Sequence, residues 1–291
     1  MSIGSLSTLL MSEVPLIFLI DNGSLRPEAT FALRELALGL SARTGFRVEP
    51  VSLLHSHKIA SEDLDGVPAT IVRRRLRELI EAGERAFIML PLFLGPSLAI
   101  QDYLPQLIEE AQQIQPEISV TIADPLAGVD VDHPDLRLAK ILADHVRQTM
   151  EAKGLIHPKV ALADHGTPIE LVNRVRNAVA AQLAEILADD VCAVKASSME
   201  RREGEAYAFN EPLLERIGEV EGFAGGDLIV AMFFLLPGRH AGEGGDVAEI
   251  CEGLLKCGAF DRVCTTPLLG THPLLLELLE DRLMATMDFN G

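Results

Sequence analysis

The sequence predicts an α/β fold with two similar domains, each a parallel sheet flanked by helices. Three observations lead to this prediction. Short apolar runs alternate with longer amphipathic segments, the chain of 291 residues is long enough for two cores, and its main landmarks occur twice. A hydrophobic content of 48% is typical of a well-buried protein of this class.

The internal repeat is carried by three landmarks that recur in the same order. They pair residues 19–27 with 162–168, 88–99 with 232–240, and 124–134 with 266–273. The number of residues between paired landmarks is nearly constant, which chance rarely produces. At the first two landmarks His165 and His240 stand opposite Asn22 and Ala99. The second half therefore has the composition of an active domain, and the first half that of an architectural one.

The strands follow from continuous apolar runs, which are typical of strands covered on both faces. The predicted strands are Pro15–Ile20, Ala86–Leu94 and Ser119–Ile122 in the first half, and Val160–Ala163, Leu228–Leu236 and Asp261–Cys264 in the second. Between them, apolar residues at helical spacing predict an amphipathic helix, shown most clearly by Val172, Val175, Val179, Leu183 and Ile186.

The domain boundary is expected within Glu151–Pro158, where a helix ends before the next strand. We therefore expect an N-terminal domain of residues 1–152 and a C-terminal domain of residues 153–291. Two segments interrupt the repeat. Arg201–Asn210 is a charged insert, and Gly238–Asp246 is rich in glycine beside a histidine.

Charge and cysteine content limit the partners and the compartment. The net charge of −18 opposes binding to nucleic acid or to an anionic membrane. Four cysteines without a C-x-x-C pair are typical of buried thiols in a reducing cytosol. The chain lacks a basic leader segment and an apolar run of membrane length. We expect a cytoplasmic protein in which a short tail precedes the first strand.

A candidate metal site lies where the strands of the second half end. Ligands gather beyond the carboxyl ends of parallel strands, and His165 and His240 each follow one. Aligning Val51–His55 with Ala196–Glu200 places Glu200 at a third strand end. Two imidazoles and a carboxylate suit Fe(II), Co(II), Ni(II) or Zn(II). The alternative is that the histidines are structural and Glu200 belongs to a solvated turn.

Other motifs are interpreted as structural. His272 is expected to cap a helix or to support the site, and His55 and His57 are expected in a solvated loop. Asp21 and Asp164 are expected to hydrogen-bond the turns that follow them. The glycine-rich stretch at 242–245 lacks the signatures of a nucleotide-binding loop, and no Gly-x-Ser-x-Gly elbow is present.

At these landmarks the sequence resembles the class II tetrapyrrole chelatases, specifically the sirohydrochlorin cobalto- and ferrochelatases of the CbiX/SirB type. The resemblance covers about residues 15 to 285. It is carried by His165-Gly-Thr167, by Pro237-Gly-Arg-His240 and by Pro267-Leu-Leu-Gly-Thr-His-Pro273. It implies two chelatase-like domains in a long, duplicated form, which is expected to be a monomer containing an intramolecular pseudo-dimer.

The resemblance also implies a metal site formed by His165, Glu200 and His240, with the two histidines also catalytic. In the family the glutamate lies just before a Glu-Pro pair. Here the insert separates Glu200 from Glu211-Pro212, which leaves Glu203, Glu205 and Glu211 as alternatives. The first domain, with Asn22 and Ala99, is expected to have a degenerate site and to form the opposite wall of a cleft.

The implied activity is that of a lyase-class enzyme that inserts a divalent ion into sirohydrochlorin with release of two protons. The ion (Co²⁺, Fe²⁺ or Ni²⁺) is then a substrate, and no organic cofactor is implied. We expect Gly166, Thr167, Gly238 and Arg239 to bind the carboxylates of the tetrapyrrole, with Arg201 and Arg202 as further candidates. The ligand set does not determine the identity of the physiological metal, so the sequence leaves both cobalamin and siroheme synthesis open as the pathway that uses the product.

Two other functions are alternatives to the chelatase. A non-catalytic carrier of metal or tetrapyrrole would use the same residues. A histidine phosphotransferase would need an arginine before its nucleophilic histidine, but Asp164 precedes His165 and would repel a phosphate.

Overall fold

The structure, a computed structural model, describes residues 14–242 and 244–288. The tail expected before the first strand lies outside the described residues. Within the described ranges, none of the helices combines the length and the apolar character needed to cross a bilayer.

Two four-stranded parallel sheets confirm the predicted fold class. The first sheet has the order β2-β1-β3-β4 and the second β6-β5-β7-β8, so the two orders are equivalent. The strands are β1 (Leu16–Asp21), β2 (Val48–Ser52), β3 (Ala86–Pro91), β4 (Ser119–Ile122), β5 (Lys159–Asp164), β6 (Ala193–Ser198), β7 (Asp227–Met232) and β8 (Arg262–Thr265). The central strands β1, β5 and β7 are almost entirely buried, as their apolar sequences require.

Seven α-helices surround these sheets in the described part of the chain. They are α1 (Pro27–Thr44), α2 (Val72–Glu81), α3 (Leu104–Ile114), α4 (Leu136–Lys153), α5 (Glu170–Ile186), α6 (Asp246–Lys256) and α7 (Pro273–Asp288). The stripe predicted for α5 is confirmed, since Val175, Val179 and Leu183 are buried. Helix α4 is capped at its C-terminus by Gly154, whose positive φ of 60° favours glycine.

The last helix of each half packs on the sheet of the other half. Helix α4 contacts α5 and β7, whereas α7 contacts α1 and β3. Arg282 of α7 donates hydrogen bonds to the carbonyl oxygens of Pro125 (3.1 Å) and Leu126 (2.9 Å) in the first half. One hydrophobic cluster accordingly contains residues from both sheets and all four of these helices. The two domains therefore share a core.

The strand register corrects one alignment made from the sequence. Asp21 pairs with Ser52 and Asp164 with Ser198. One residue further on, the Leu54 N–H donates to the Asn22 carbonyl, just as the Glu200 N–H donates to that of His165. The counterpart of Glu200 is therefore Leu54, and the alignment with His55 was wrong by one residue. Backbone hydrogen bonds fix this register, whereas the sequence alignment had matched polar side chains.

The third landmark is also displaced. His272 Nδ1 accepts a hydrogen bond from the Leu274 N–H (3.2 Å), which confirms its capping role at the start of α7. In the first half the equivalent acceptor at the start of α4 is Asp135, which bonds the Arg137 N–H (3.1 Å). The counterpart of His272 is therefore Asp135, and the sequence alignment of the third landmark, which places His133 opposite His272, was wrong. The cause is a longer loop before α4 than before α7.

Candidate metal-binding site at the rim of the second sheet

Three predicted ligands lie together at the carboxyl ends of the strands. His165 follows β5, Glu200 follows β6, and His240 follows β7 through a turn. The His165 and His240 rings have centroids 4.5 Å apart, and His165 Nε2 is 3.5 Å from Glu200 Oε1. Their side chains are 46%, 32% and 60% exposed for His165, His240 and Glu200. An ion, and a molecule that binds this ion, can therefore reach all three side chains from solvent.

The donor atoms do not yet converge on one point. In residues 14–242 and 244–288, no group of three or more His, Cys, Asp or Glu side chains is arranged to hold a metal ion as it stands. The cluster nevertheless supplies nitrogen and oxygen donors of intermediate softness. Since the side chains of His165 and Glu200 are 46% and 60% exposed, rotation about their χ angles is sterically open to them. The site thus has the donors for a divalent ion but requires a side-chain rearrangement to enclose one.

Gly166 allows the loop after β5 to lie directly against the loop after β6. Its φ is +93°, and a Cβ placed there would lie 1.9 Å from the Glu200 carbonyl oxygen. The Glu200 N–H in turn donates to the His165 carbonyl (3.2 Å). The same contact occurs in the first domain, where a Cβ on Gly23 would lie 1.8 Å from the Leu54 oxygen. The glycine after His165 therefore sets the distance between two candidate ligands.

Gly166→Ala is expected to lower the free energy of unfolding by about 2 kcal/mol or more and to weaken metal binding. A methyl group in this contact forces the Glu200 backbone away from His165. Gly23→Ala is the matched control, since it introduces the same strain where no ligands lie. Urea denaturation and Co²⁺ titration of both variants give the test. Equal loss of metal affinity in the two variants would contradict it.

Of the four glutamates left open by the sequence, Glu200 is the one in contact with a candidate histidine ligand. Glu211 forms an ion pair with Arg201 (2.9 Å), and Glu203 and Glu205 are exposed in the insert. The guanidinium of Arg202 lies 5.8 Å from the Tyr207 ring centroid. The insert thus uses Arg201 and Arg202 in its own contacts.

A buried polar network, which sequence analysis did not predict, supports the loop that contains His165. Asp164 accepts hydrogen bonds from the Gly166 N–H (3.1 Å) and from Ser198 Oγ (2.6 Å), which confirms its expected role. Arg176, only 1% exposed, donates to Ser198 Oγ (2.6 Å) and to the Asn210 carbonyl (3.2 Å). Burial raises the pKa of Asp164, although the positive charge of Arg176 opposes this.

Asn210 connects this network to Thr167. Its side-chain oxygen accepts from the Thr167 N–H (3.0 Å), and its amide nitrogen donates to the Thr167 carbonyl (2.9 Å). The N–H groups of Gly166 and Thr167, which we expected to bind substrate, therefore donate to Asp164 and Asn210 instead. In this arrangement the two residues shape the loop, and the exposed Arg239 is a candidate for binding a carboxylate.

The equivalent region of the first domain holds a cavity and no comparable donor set. Asn22, Leu54 and Ala99, the counterparts of the three ligands, line a cavity of about 320 Å³. The place of Arg176 is taken by the buried Leu33. Asp21 thus lies beneath the cavity without a cation, and burial raises its pKa to about 6 despite hydrogen bonds from Ser52 and Gly23.

Asp21→Asn is expected to stabilise the protein at neutral pH by up to about 3 kcal/mol. The folded state retains a proton on Asp21 up to about pH 6, whereas the unfolded state loses it near 3.8, so stability falls as pH rises between these values. The amide removes that loss. Denaturation of both proteins at pH 4 and pH 8 measures it, with the exposed Asp63→Asn as control. A gain at pH 4 equal to that at pH 8 would refute the assignment.

Histidines elsewhere have other surroundings. His55 and His57 are exposed in the loop after β2, in agreement with the solvated loop expected there. His145 of α4 is buried against His272, with ring centroids 5.3 Å apart. Sequence analysis did not identify Asp246 as part of the site. Its Oδ2 lies 2.6 Å from His240 Nδ1. The signal for it in the sequence was an acidic residue shortly after His240, at the start of a helix.

Comparison with known proteins gives two kinds of match. Residues 16–149 match the family model of CbiX, which covers the first domain. No curated protein sequence matches the chain. Among solved structures, SirB from Bacillus subtilis with Fe³⁺ superposes with a TM-score of 0.65 at 16% identity, covering 94% of this chain and 95% of SirB.

Two further structures are similar over most of this chain. The sirohydrochlorin chelatase SirB from B. subtilis subspecies spizizenii in complex with cobalt gives a TM-score of 0.65 at 14% identity, with 94% and 95% coverage of the two chains. CbiX, the terminal enzyme of siroheme biosynthesis in denitrifying bacteria, gives 0.56 at 17% identity, with 94% and 99% coverage. The first domain thus matches the CbiX family model, and the chain as a whole has the fold of SirB and CbiX.

Proposed function

We propose that this protein is a sirohydrochlorin chelatase, a lyase-class enzyme that inserts Co²⁺ or Fe²⁺ into the tetrapyrrole and releases two protons. The observation that carries the proposal is the cluster of His165, Glu200 and His240 at the strand ends of the second domain. It combines donors suited to these ions with a fold shared by the sirohydrochlorin chelatase SirB and by CbiX, the terminal enzyme of siroheme biosynthesis. The ion is a substrate, and the proposal requires no organic cofactor.

The chemistry of the cluster suits delivery of an ion better than its retention. Imidazole and carboxylate donors bind divalent ions of this group without the thiolates that would hold them tightly. Partial exposure of all three side chains leaves coordination positions open to the macrocycle nitrogens. An imidazole that has given up the ion can also accept a pyrrole proton. The two histidines thus act as metal ligands and as proton acceptors.

The tetrapyrrole carries several carboxylates, whereas the chain has a net charge of −18. Local positive charge is therefore needed for binding. Arg239, whose side chain is 79% exposed beside His240, provides it. Gly238 lies beside the first domain, since a Cβ on it would be 3.9 Å from Ser24 Oγ. We propose that the first domain forms the facing wall of the substrate cleft.

The degenerate site then lies in residues 1–152 and the metal site in residues 153–291, with one metal site per chain. We further propose that the protein is a cytoplasmic monomer whose two domains form an intramolecular pseudo-dimer, without nucleic acid or membrane partners.

An anaerobic spectral assay tests this function. Sirohydrochlorin is mixed with Co²⁺, Fe²⁺ or Ni²⁺ and with the wild type, His165→Ala or His240→Ala, and the conversion to metallated product is followed with time. We expect acceleration by the wild type and a rate near background for both variants. Asn22→Ala is the matched control in the first domain and should retain the wild-type rate. Tight tetrapyrrole binding without acceleration would favour the carrier, and a rate insensitive to the histidine substitutions would refute the mechanism.

A further inference from the structure

His240 forms a short contact that the proposed chemistry does not itself use. Its Nδ1 lies 2.6 Å from Asp246 Oδ2. A carboxylate only accepts hydrogen bonds, whereas a neutral imidazole carries its proton on one nitrogen and a lone pair on the other. The contact therefore holds the proton on Nδ1 and directs the lone pair to Nε2. It also fixes the orientation of the ring.

The glycine-rich turn between the two residues makes this contact possible. A Cβ on Gly242 would lie 2.7 Å from the Gly238 carbonyl oxygen, and one on Gly245 would lie 2.6 Å from that of Arg239. Both approaches are too close for any side chain. The turn ends where the Val247 N–H donates to the His240 carbonyl (3.1 Å). The chain thus folds back so tightly that the first residue of α6 meets the histidine.

The first domain has lost both partners and the turn. The strand register equates Leu92 with Phe233, since their N–H groups bond equivalent carbonyls of Ile20 and Ala163. By the same count, Ala99 replaces His240, and α3 begins with Leu104 where α6 begins with Asp246. There the chain continues helically through Ala99–Tyr103 into α3. The pair is therefore present in the domain with candidate ligands and absent from the other.

We propose that Asp246 is the positioning residue of the metal site, holding His240 in the tautomer that presents Nε2 to the ion. This inference rests on the proposed function for the identity of the ligands. Carboxylates that orient metal-binding histidines in this way typically contribute 10–100-fold to metal affinity. A competing role is purely structural, since an acidic residue at the start of α6 also stabilises the helix. Arg239 Nε lies 3.9 Å from the same Asp246 oxygen. At that distance it does not form a hydrogen bond and contributes little to the position of the carboxylate.

Two substitutions separate these roles. Asp246→Ala removes the acceptor, whereas Asp246→Asn keeps an oxygen that can accept from Nδ1–H. We expect the Co²⁺ affinity, measured by titration without tetrapyrrole, to fall roughly 10–100-fold in Asp246→Ala and to be largely retained in Asp246→Asn. Glu249→Ala is the matched control, because Glu249 lies in the same helical turn and is exposed. It should leave Co²⁺ affinity unchanged.

The tautomer gives a readout that a structural role would not change. In ¹⁵N NMR of the metal-free protein, with the His240 signals assigned from His240→Asn, the proton should reside on Nδ1 in the wild type and in Asp246→Asn. It should redistribute towards Nε2 in Asp246→Ala. Equal Co²⁺ affinity in all variants, or an unchanged tautomer in Asp246→Ala, would overturn the proposal. An equal affinity loss in Asn and Ala variants would make Asp246 a direct ligand and would also overturn it. Because these measurements omit the tetrapyrrole, they remain decisive if the chelatase activity itself is absent.

Discussion

Replacing Arg176 by leucine is expected to lower the free energy of unfolding by about 3–5 kcal/mol, the usual cost of removing one partner from a buried charged network. Arg176 is 1% exposed and lies 3.8 Å from the Asp164 carboxylate. Its loss leaves that carboxylate buried without a cation and the Asn210 carbonyl without its donor. Leucine fits the helix position, since Leu33 occupies it in α1. Urea denaturation near pH 7.5 measures the change.

An exposed arginine on the same helix is the control for this prediction. Arg174 pairs with Asp132, but the two side chains are 43% and 53% exposed, so Arg174→Leu should cost less than about 1 kcal/mol. Equal costs at the two positions would show that the buried network contributes no more than a surface pair. In a double variant with Asp164→Asn, the loss should be smaller than the sum of the single losses.

The pH dependence of Arg176→Leu has a definite sign. Burial already raises the pKa of Asp164, and Arg176 is the largest influence opposing that rise. Without Arg176 the pKa rises further, so the folded state binds a proton that the unfolded state releases at the same pH. The destabilisation should therefore be largest at neutral pH and should decrease in acid, as Asp164 becomes protonated. A loss independent of pH would indicate a packing defect in place of an unpaired charge.

The sequence predicted the features that follow from local pattern and repetition. Buried parallel strands require continuous apolar runs, so β1, β3, β5 and β7 were located to within a few residues. Since all parallel strands end at one edge, His165, Glu200 and His240 could be placed together before their contacts were known. The internal repeat further identified the first domain as the one that has Asn22 and Ala99 in place of His165 and His240.

Features that depend on packing at a distance could not be predicted in this way. Arg176 lies on the buried face of α5, where the periodic pattern calls for an apolar residue, and only the tertiary structure supplies Asp164 and Asn210 as partners. The alignment of His55 with Glu200 failed because similarity of side chains does not determine strand register. The packing of α4 and α7 on the sheet of the opposite half has no local signature in the sequence, since an apolar helical face does not specify which sheet it covers.

The packing of α7 on the first sheet leads to the second large effect. Removal of α7 is expected to unfold the first domain, although this helix follows the last strand of the second domain. Helix α7 contacts α1 and β3, and it contributes the fully buried side chains of Leu275, Leu278, Leu279 and Leu283 to the common core. Each buried leucine contributes about 2–5 kcal/mol. The combined contribution of the four leucines is therefore comparable to the whole net stability of a typical protein, which is about 5–15 kcal/mol.

Hydrogen exchange can locate this effect along the chain. In a variant that ends at His272, the amides of β1 and β3 should lose protection together with those of the second sheet. Met284→Ala in the intact helix is the control, because Met284 is 40% exposed and should cost little. Retained protection in β1 alongside loss in β7 would contradict a shared core. Cooperative loss in both sheets would mean that the first domain cannot be separated from the proposed metal site of the second, because each sheet is completed by a helix from the other half.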